Sequence, residues 1–301
     1  MEEAIVVGTF SFLGYNLLTR LLEDGVVVHG IDFKDGQDSE RVKEEKILAI
    51  GRNANFISLE EEEWPQILHP KEGPKVNALF YCLDMFNQQT LTRASQSLEQ
   101  AIEYCKLHSC PLIFSSSVEV VDHNERQEIT EDTPINPVTG KGKMFNSLEE
   151  MIQSKCNEEA CSYLILRFPT LYGPWQPDSY VYQRAILALE EGKTEQFIEN
   201  KDEYKGDLLY VGDAVQALLN AKSCSTRNEL IHITSGKEGE WEKGLSHILN
   251  KTVNRRNKNL VLTNDKAKEL LGFTPRVSIE EGIVNQRETN LFISGNGRNR
   301  E

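Results

Sequence analysis

The chain is 301 residues long, 39% hydrophobic and 27% charged, the balance of a globular protein with room for one large domain or a large domain and a small one. A formal net charge of −14 excludes the broad basic surface that nucleic acid requires. No stretch approaches the ~20 apolar residues of a membrane helix and no leader-like segment precedes Ile5, so a cytoplasmic protein without membrane attachment is expected.

Ile5–Val7 is a β-branched run suited to a buried parallel strand. Gly8 follows where the chain must turn. Phe12, Leu13, Leu17, Leu18, Leu21 and Leu22 then recur at helical spacing up to the stop signal Asp24-Gly25. A second apolar run, Val26 to Ile31, ends at Asp32. This strand–turn–helix–strand is the arrangement that binds a dinucleotide. The helix N-terminus offers free N–H groups and partial positive charge to a pyrophosphate. An acid at the end of the second strand, about 20 residues on, accepts hydrogen bonds from the adenosine ribose. Asp32, 24 residues after Gly8, fits that role, and its carboxylate favours NAD by repelling the 2′-phosphate of NADP. The turn departs from the usual three glycines. Gly8 and Gly14 are present, but Ser11 stands at the middle position and Phe10 is bulky. Ser11 can cap the helix while holding the phosphate further out, so a weakened cofactor site is expected from Gly8, Ser11, Phe12, Leu13, Gly14 and Asp32.

Further strands are expected at Asn55–Leu59, Val76–Leu83, Pro111–Ser117 and Tyr163–Phe168, with helices at Leu91–Leu107 and Ser147–Cys156. Such alternation predicts an α/β fold, a Rossmann-like doubly wound parallel sheet over residues 1–172. Ligands of these sheets bind beyond the carboxyl ends of the strands. After Tyr172-Gly173-Pro174 the elements shorten, with helices at Tyr182–Glu191, after Gly212-Asp213 and at Asp265–Leu271. Residues 173–293 read as a smaller mixed α/β lobe for substrate, some of whose strands can return to the main sheet. The polar, glycine-containing stretch 294–301 reads as a disordered tail. Six cysteines lack CxxC spacing; Cys105/Cys110 and Cys156/Cys161 are each five apart. Free thiols in a reducing compartment and no metal site are expected.

Several segments together resemble the extended short-chain dehydrogenase/reductase family, in particular its NAD-dependent nucleotide-sugar epimerases, dehydratases and decarboxylases. They are Gly8–Gly14 with Asp32, the serine-rich strand end in Phe114–Asp122, Glu131-Asp-Thr-Pro-Ile-Asn-Pro137, Leu166-Arg-Phe-Pro-Thr-Leu-Tyr-Gly-Pro174, Gly206–Asp213 and Leu270–Gly282. Their order carries the resemblance, which spans nearly the whole chain. The loop Arg167–Trp175, with Pro177-Asp178, is most similar to UDP-glucuronate 4-epimerases. The resemblance implies substrate contacts from Thr170, Trp175 and Lys205, a catalytic hydroxyl at Ser117 and an acid/base at Glu119. It also implies pairing into a homodimer, or a heterodimer with a related enzyme, through Leu91–Leu107 and the helix after Lys143.

The departures point the other way. The family's hydride chemistry uses a tyrosine and a lysine four residues later, and those positions hold Lys141 and Phe145. An ammonium is a poor base unless burial depresses its pKa, and a phenyl ring cannot bind ribose hydroxyls. Leu83-Asp84 stands where two small residues usually flank the cofactor, and Gly206 where an arginine usually meets the substrate diphosphate. The expected reading is a catalytically impaired relative that acts by binding NAD, a nucleotide sugar or a partner. The alternative is an active epimerase, dehydratase or decarboxylase using Ser117, Glu119 and a non-standard base. A third reading is a sensor that binds NAD without turnover.

Overall fold

The computed structural model describes residues 2–33, 40–68, 73–83, 88–121, 128–159, 161–198, 204–254 and 261–298. In chain order the first elements are β1 (Glu3–Val7), α1 (Phe12–Glu23), β2 (Val27–Ile31), α2 (Glu40–Ile50), β3 (Phe56–Leu59), α3 (Trp64–Ile67), β4 (Ala78–Tyr81), α4 (Gln88–His108) and β5 (Leu112–Ser117). Next come β6 (Glu128–Ile129), α5 (Gly140–Glu159), β7 (Tyr163–Phe168), β8 (Thr170–Tyr172), α6 (Val181–Glu190), β9 (Leu208–Tyr210) and α7 (Val211–Ser223). The chain ends with β10 (Glu229–His232), α8 (Glu240–Leu249), β11 (Val261–Leu262), α9 (Asp265–Leu271) and α10 (Ile279–Arg298).

Seven strands form one parallel sheet in the order β10-β7-β5-β4-β1-β2-β3. This is the expected doubly wound α/β sheet, with the order reversing between β1 and β4. Its strands are apolar runs because both faces are covered. Ile5 and Val7 face the cluster holding Leu98, Leu148 and Ile152 of α4 and α5. Ala4 and Val6 face the opposite cluster, with Leu17 of α1, Leu218 of α7 and Leu271 of α9. A third cluster, built from Tyr172, Tyr182, Trp241, Leu245 and Ile283, brings together β8, α6, α8 and α10. The C-terminal half of the chain also contributes to the main sheet, since β10 pairs with β7 from Glu229↔Leu164 to His232↔Arg167.

β4 covers only Ala78–Tyr81 of the expected Val76–Leu83, and two helices reach into stretches not read as helical. α5 begins at Gly140, seven residues before Ser147. The Thr139 hydroxyl accepts from the Gly142 N–H at 2.9 Å, capping a turn whose residues have poor helix propensity. Gly142 is required there, because a β-carbon would overlap the Glu119 carbonyl. α10 carries helical backbone through Arg298, into the stretch read as irregular; residues 299–301 lie outside the described ones. The apolar stripe of α4 (Ala94, Leu98, Ala101, Ile102 and Cys105) is buried against the chain's own sheet.

Candidate active site

The glycine turn is built tightly. Gly8 has φ +75°, and a β-carbon on it would overlap the Cys82 carbonyl oxygen, while one on Gly14 would overlap the Gly8 carbonyl. Ser11 is the N-cap of α1, its hydroxyl accepting from the Gly14 N–H at 3.1 Å. Phe12 and Leu13 open the helix with their side chains buried. Phe10 does not project outward. Its ring lies 6.2 Å from Tyr15 and 6.3 Å from Phe56, inside the core.

Asp32 stands at the end of β2, at the same sheet edge. Its Oδ1 accepts from the Phe10 N–H at 3.1 Å, and Lys43 Nζ lies 2.5 Å from Oδ2. Lys43 comes from α2, a helix the apolar pattern did not reveal because most of its residues are charged. Asp84 lies outside the described residues.

Ser117 ends β5, and its hydroxyl accepts from the Glu119 N–H at 3.2 Å, starting a short turn over Val118–Val120. The turn swings Glu119 against α5. The carboxylate, in a residue only 7% exposed, accepts from the Thr139 hydroxyl at 2.8 Å and pairs with Lys141 Nζ at 3.1 Å. Four residues along α5, Phe145 is buried edge-on to Phe114, with centroids 6.2 Å apart. Ser116, beside Ser117, donates to Glu149 at 2.5 Å, and Glu149 holds Arg167 through two bonds of 2.9 and 2.6 Å. Sequence reasoning missed Thr139, Lys43 and this buried pair; a Glu nine residues into a helix carries no local sign of its partner on another strand.

The lobe residues do not all converge on Glu119. Thr170 is buried, its hydroxyl donating to the Tyr204 carbonyl at 2.7 Å. Trp175 stands at φ +66° with its ring edge-on to Tyr15 of α1, centroids 5.2 Å apart, where the Pro174 carbonyl also accepts from Asn16. Lys205 lies over the Trp241 ring, 5.1 Å from its centroid. Gly206 has a positive reason in the structure: the Tyr204 hydroxyl occupies the place of its missing side chain. Burial, then the charges of Asp207 and Glu119, push the Tyr204 phenol well above its ordinary range. Asp207 is buried and takes hydrogen bonds from the Ser235 N–H, at 2.8 Å, and the Ser235 hydroxyl. Burial dominates those bonds and raises its carboxyl to about 7. Among the described residues, no group of His, Cys, Asp and Glu is placed to hold a metal ion, and no helix is long and apolar enough to cross a membrane.

Residues 4–225 match the model of a family described as the NAD dependent epimerase/dehydratase family. The chain belongs to that family. A UDP-glucuronic acid 4-epimerase from Bacillus cereus, solved with UDP-glucuronic acid and NAD, superposes with a TM-score of 0.80 at 21% identity, over 97% of this chain and 99% of that one. A dTDP-glucose 4,6-dehydratase from Bacillus anthracis, solved with NAD, gives 0.78 at 16% identity, over 96% of each. A probable UDP-glucuronate 4-epimerase of Rhizobium meliloti is 21% identical over 93% of this chain and 94% of its own length. An epimerase/dehydratase scaffold of this kind brings the glycine turn, Asp32 and Ser117–Glu119 to one sheet edge, while Trp175 is spent on packing the loop against α1.

Proposed function

We propose that this chain binds NAD and a nucleotide sugar at the carboxyl edge of its sheet and does not perform the tyrosine-dependent hydride chemistry of its relatives. One observation carries the second half: at the position of the missing tyrosine, Lys141 is paired with the buried Glu119 carboxylate. A lysine in that pair is held as an ammonium, with no lone pair to take a proton. Bound NAD would supply a hydride acceptor. The residues present fit it at one end, where the tight glycine turn and α1 N-terminus suit the diphosphate and Asp32 suits the adenosine ribose. At the other end Phe145 brings no donor. In this reading Gly8, Ser11, Phe12, Leu13, Gly14 and Asp32 form the cofactor cradle. Thr170 and Lys205 order the lobe segment that faces the sugar, and Trp175 holds its loop. The chain pairs as a homodimer or with an active relative, and only the relative brings the tyrosine and lysine that Lys141 and Phe145 replace here.

Calorimetric titration with NAD, followed by a turnover assay with UDP-glucuronate and UDP-glucose, tests both halves. Micromolar NAD binding without turnover is the expected result. Turnover at a rate ordinary for enzymes, on the order of 1–1000 per second, would sink the impaired reading, and absent binding at millimolar NAD would sink the cofactor reading. A second reading is favoured by the burial of Glu119, which suits a general acid/base. On that reading Glu119→Gln abolishes whatever turnover is found, while under the first it leaves NAD affinity within about twofold and has no turnover to remove.

A further inference from the structure

α4 and α5, packed on one face of the sheet, end in the same way. α4 closes near Cys105 and the chain reaches β5 after Cys110; α5 closes near Cys156 and the chain reaches β7 after Cys161. In each turn the second cysteine's N–H donates to the first one's carbonyl, at 3.1 Å for Cys110 to Cys105 and 3.2 Å for Cys161 to Cys156. Since β5 and β7 are hydrogen-bonded neighbours, with Leu112 level with Tyr163, the two turns lie side by side. All four thiols fall in one buried cluster, none more than 4% exposed. Cys110 Sγ lies 3.7 Å from Cys105 Sγ, the latter also in hydrogen-bond contact with Cys161.

We propose that Cys105 and Cys110 are a disulfide-forming site, closed by a peroxide across the α4–β5 turn. Their sulfurs already touch, so side-chain rotation brings them to the ~2.05 Å of a disulfide. Cys161 is the less available partner, its thiol donating to the Ser162 carbonyl at 3.7 Å. One sulfur, as thiolate, attacks a peroxide oxygen, the O–O bond breaks and a sulfenic acid forms with loss of water. The second sulfur then displaces the sulfenic oxygen as a second water. Two thiols lose two protons and two electrons, and one hydrogen peroxide becomes two waters. Burial holds the Cys105 thiol protonated, and the neighbouring thiols add to this, so the bond accumulates as the turn opens. Two features place that opening here: Ser109, between the two cysteines, sits at φ +52°, a conformation unfavourable without glycine, and Leu107 is 48% exposed.

The test is peroxide treatment of the native protein, acid quench, unfolding, alkylation and tryptic mass spectrometry. Trypsin cuts after Lys106, so the proposed bond joins peptide Ala94–Lys106 to peptide Leu107–Arg126. Cys224, outside the cluster and partly exposed, reports that peroxide reached the protein. The expected result is that linked pair in the wild type and its absence in Cys110→Ser. Full alkylation of Cys105 and Cys110 while Cys224 is oxidised overturns the proposal. So does a link between Ala94–Lys106 and Cys156–Arg167, which assigns the bond to the α5 turn instead.

Discussion

At Glu149 and Arg167 two opposite charges are enclosed almost completely, joined by two hydrogen bonds and completed by the Ser116 hydroxyl. Enclosing the charges is costly, and the pair offsets this only while both partners remain. Glu149→Gln is therefore expected to destabilise the fold by about 3–5 kcal/mol, leaving an uncompensated guanidinium, as read by urea unfolding. Asp207 behaves differently, being enclosed with the N–H and hydroxyl of Ser235 as partners. Its carboxyl is raised from 3.8 to about 7 in the fold, so between those values the unfolded chain releases its proton while the folded chain keeps it. Stability falls as pH rises through that window. Asp207→Asn removes the titration, so the stability of the variant relative to the wild type is expected to improve from pH 4 to pH 7. An unchanged difference across that range would show that Asp207 ionises freely in the fold. Neither site was legible beforehand, because each depends on residues that only the fold brings together: Glu149 with Arg167, and Asp207 with Ser235.

Elements with a strong apolar period were readable from the chain alone. β1, α1, β2 and β7 were found close to their true bounds because a buried strand or amphipathic helix carries its own signal. α2 was missed, its charged face drowning the period, and so was the first part of α5, where Gly140-Lys-Gly-Lys143 resembles a loop. What requires glycine in that turn is distant in sequence: the Glu119 carbonyl lies where a Gly142 side chain would be. The glycine turn, Asp32, Ser117 and Glu119 were legible as residues, but the lysine partners Lys43 and Lys141 were not legible as partners. Gly142→Ala is expected to push α5 off the Glu119 turn. A loss of about 1–3 kcal/mol follows from forcing an extra carbon into a packed site, together with loosening of the Glu119–Lys141 pair. Chemical denaturation checks the first effect. A variant as stable as wild type would mean that α5 moves freely there.

Across the whole molecule, the two halves of the chain share one sheet. β10 comes from the C-terminal half, yet its last residue, His232, is level with Arg167 of β7. The Asp213 carboxylate at the start of α7 accepts the Arg276 and Val277 N–H groups at 3.1 and 3.2 Å, tying the lobe's last helices to the same body. Truncation therefore cannot follow the boundary that composition suggests near Tyr172. A fragment ending there would bare the outer edge of β7, including the Tyr163 and Arg167 carbonyls that now accept from the Asn228 and Ile233 N–H groups, which is a template for strand-to-strand association. Such a fragment is expected to sediment as aggregate, whereas protease nicks in the exposed loop around Glu191–Lys193 should leave both pieces migrating together. The complete sheet presents β10 at that edge instead, four residues against the six of β7, and a shorter edge is a poorer template for self-association; it is also the last strand of this sheet to be synthesised.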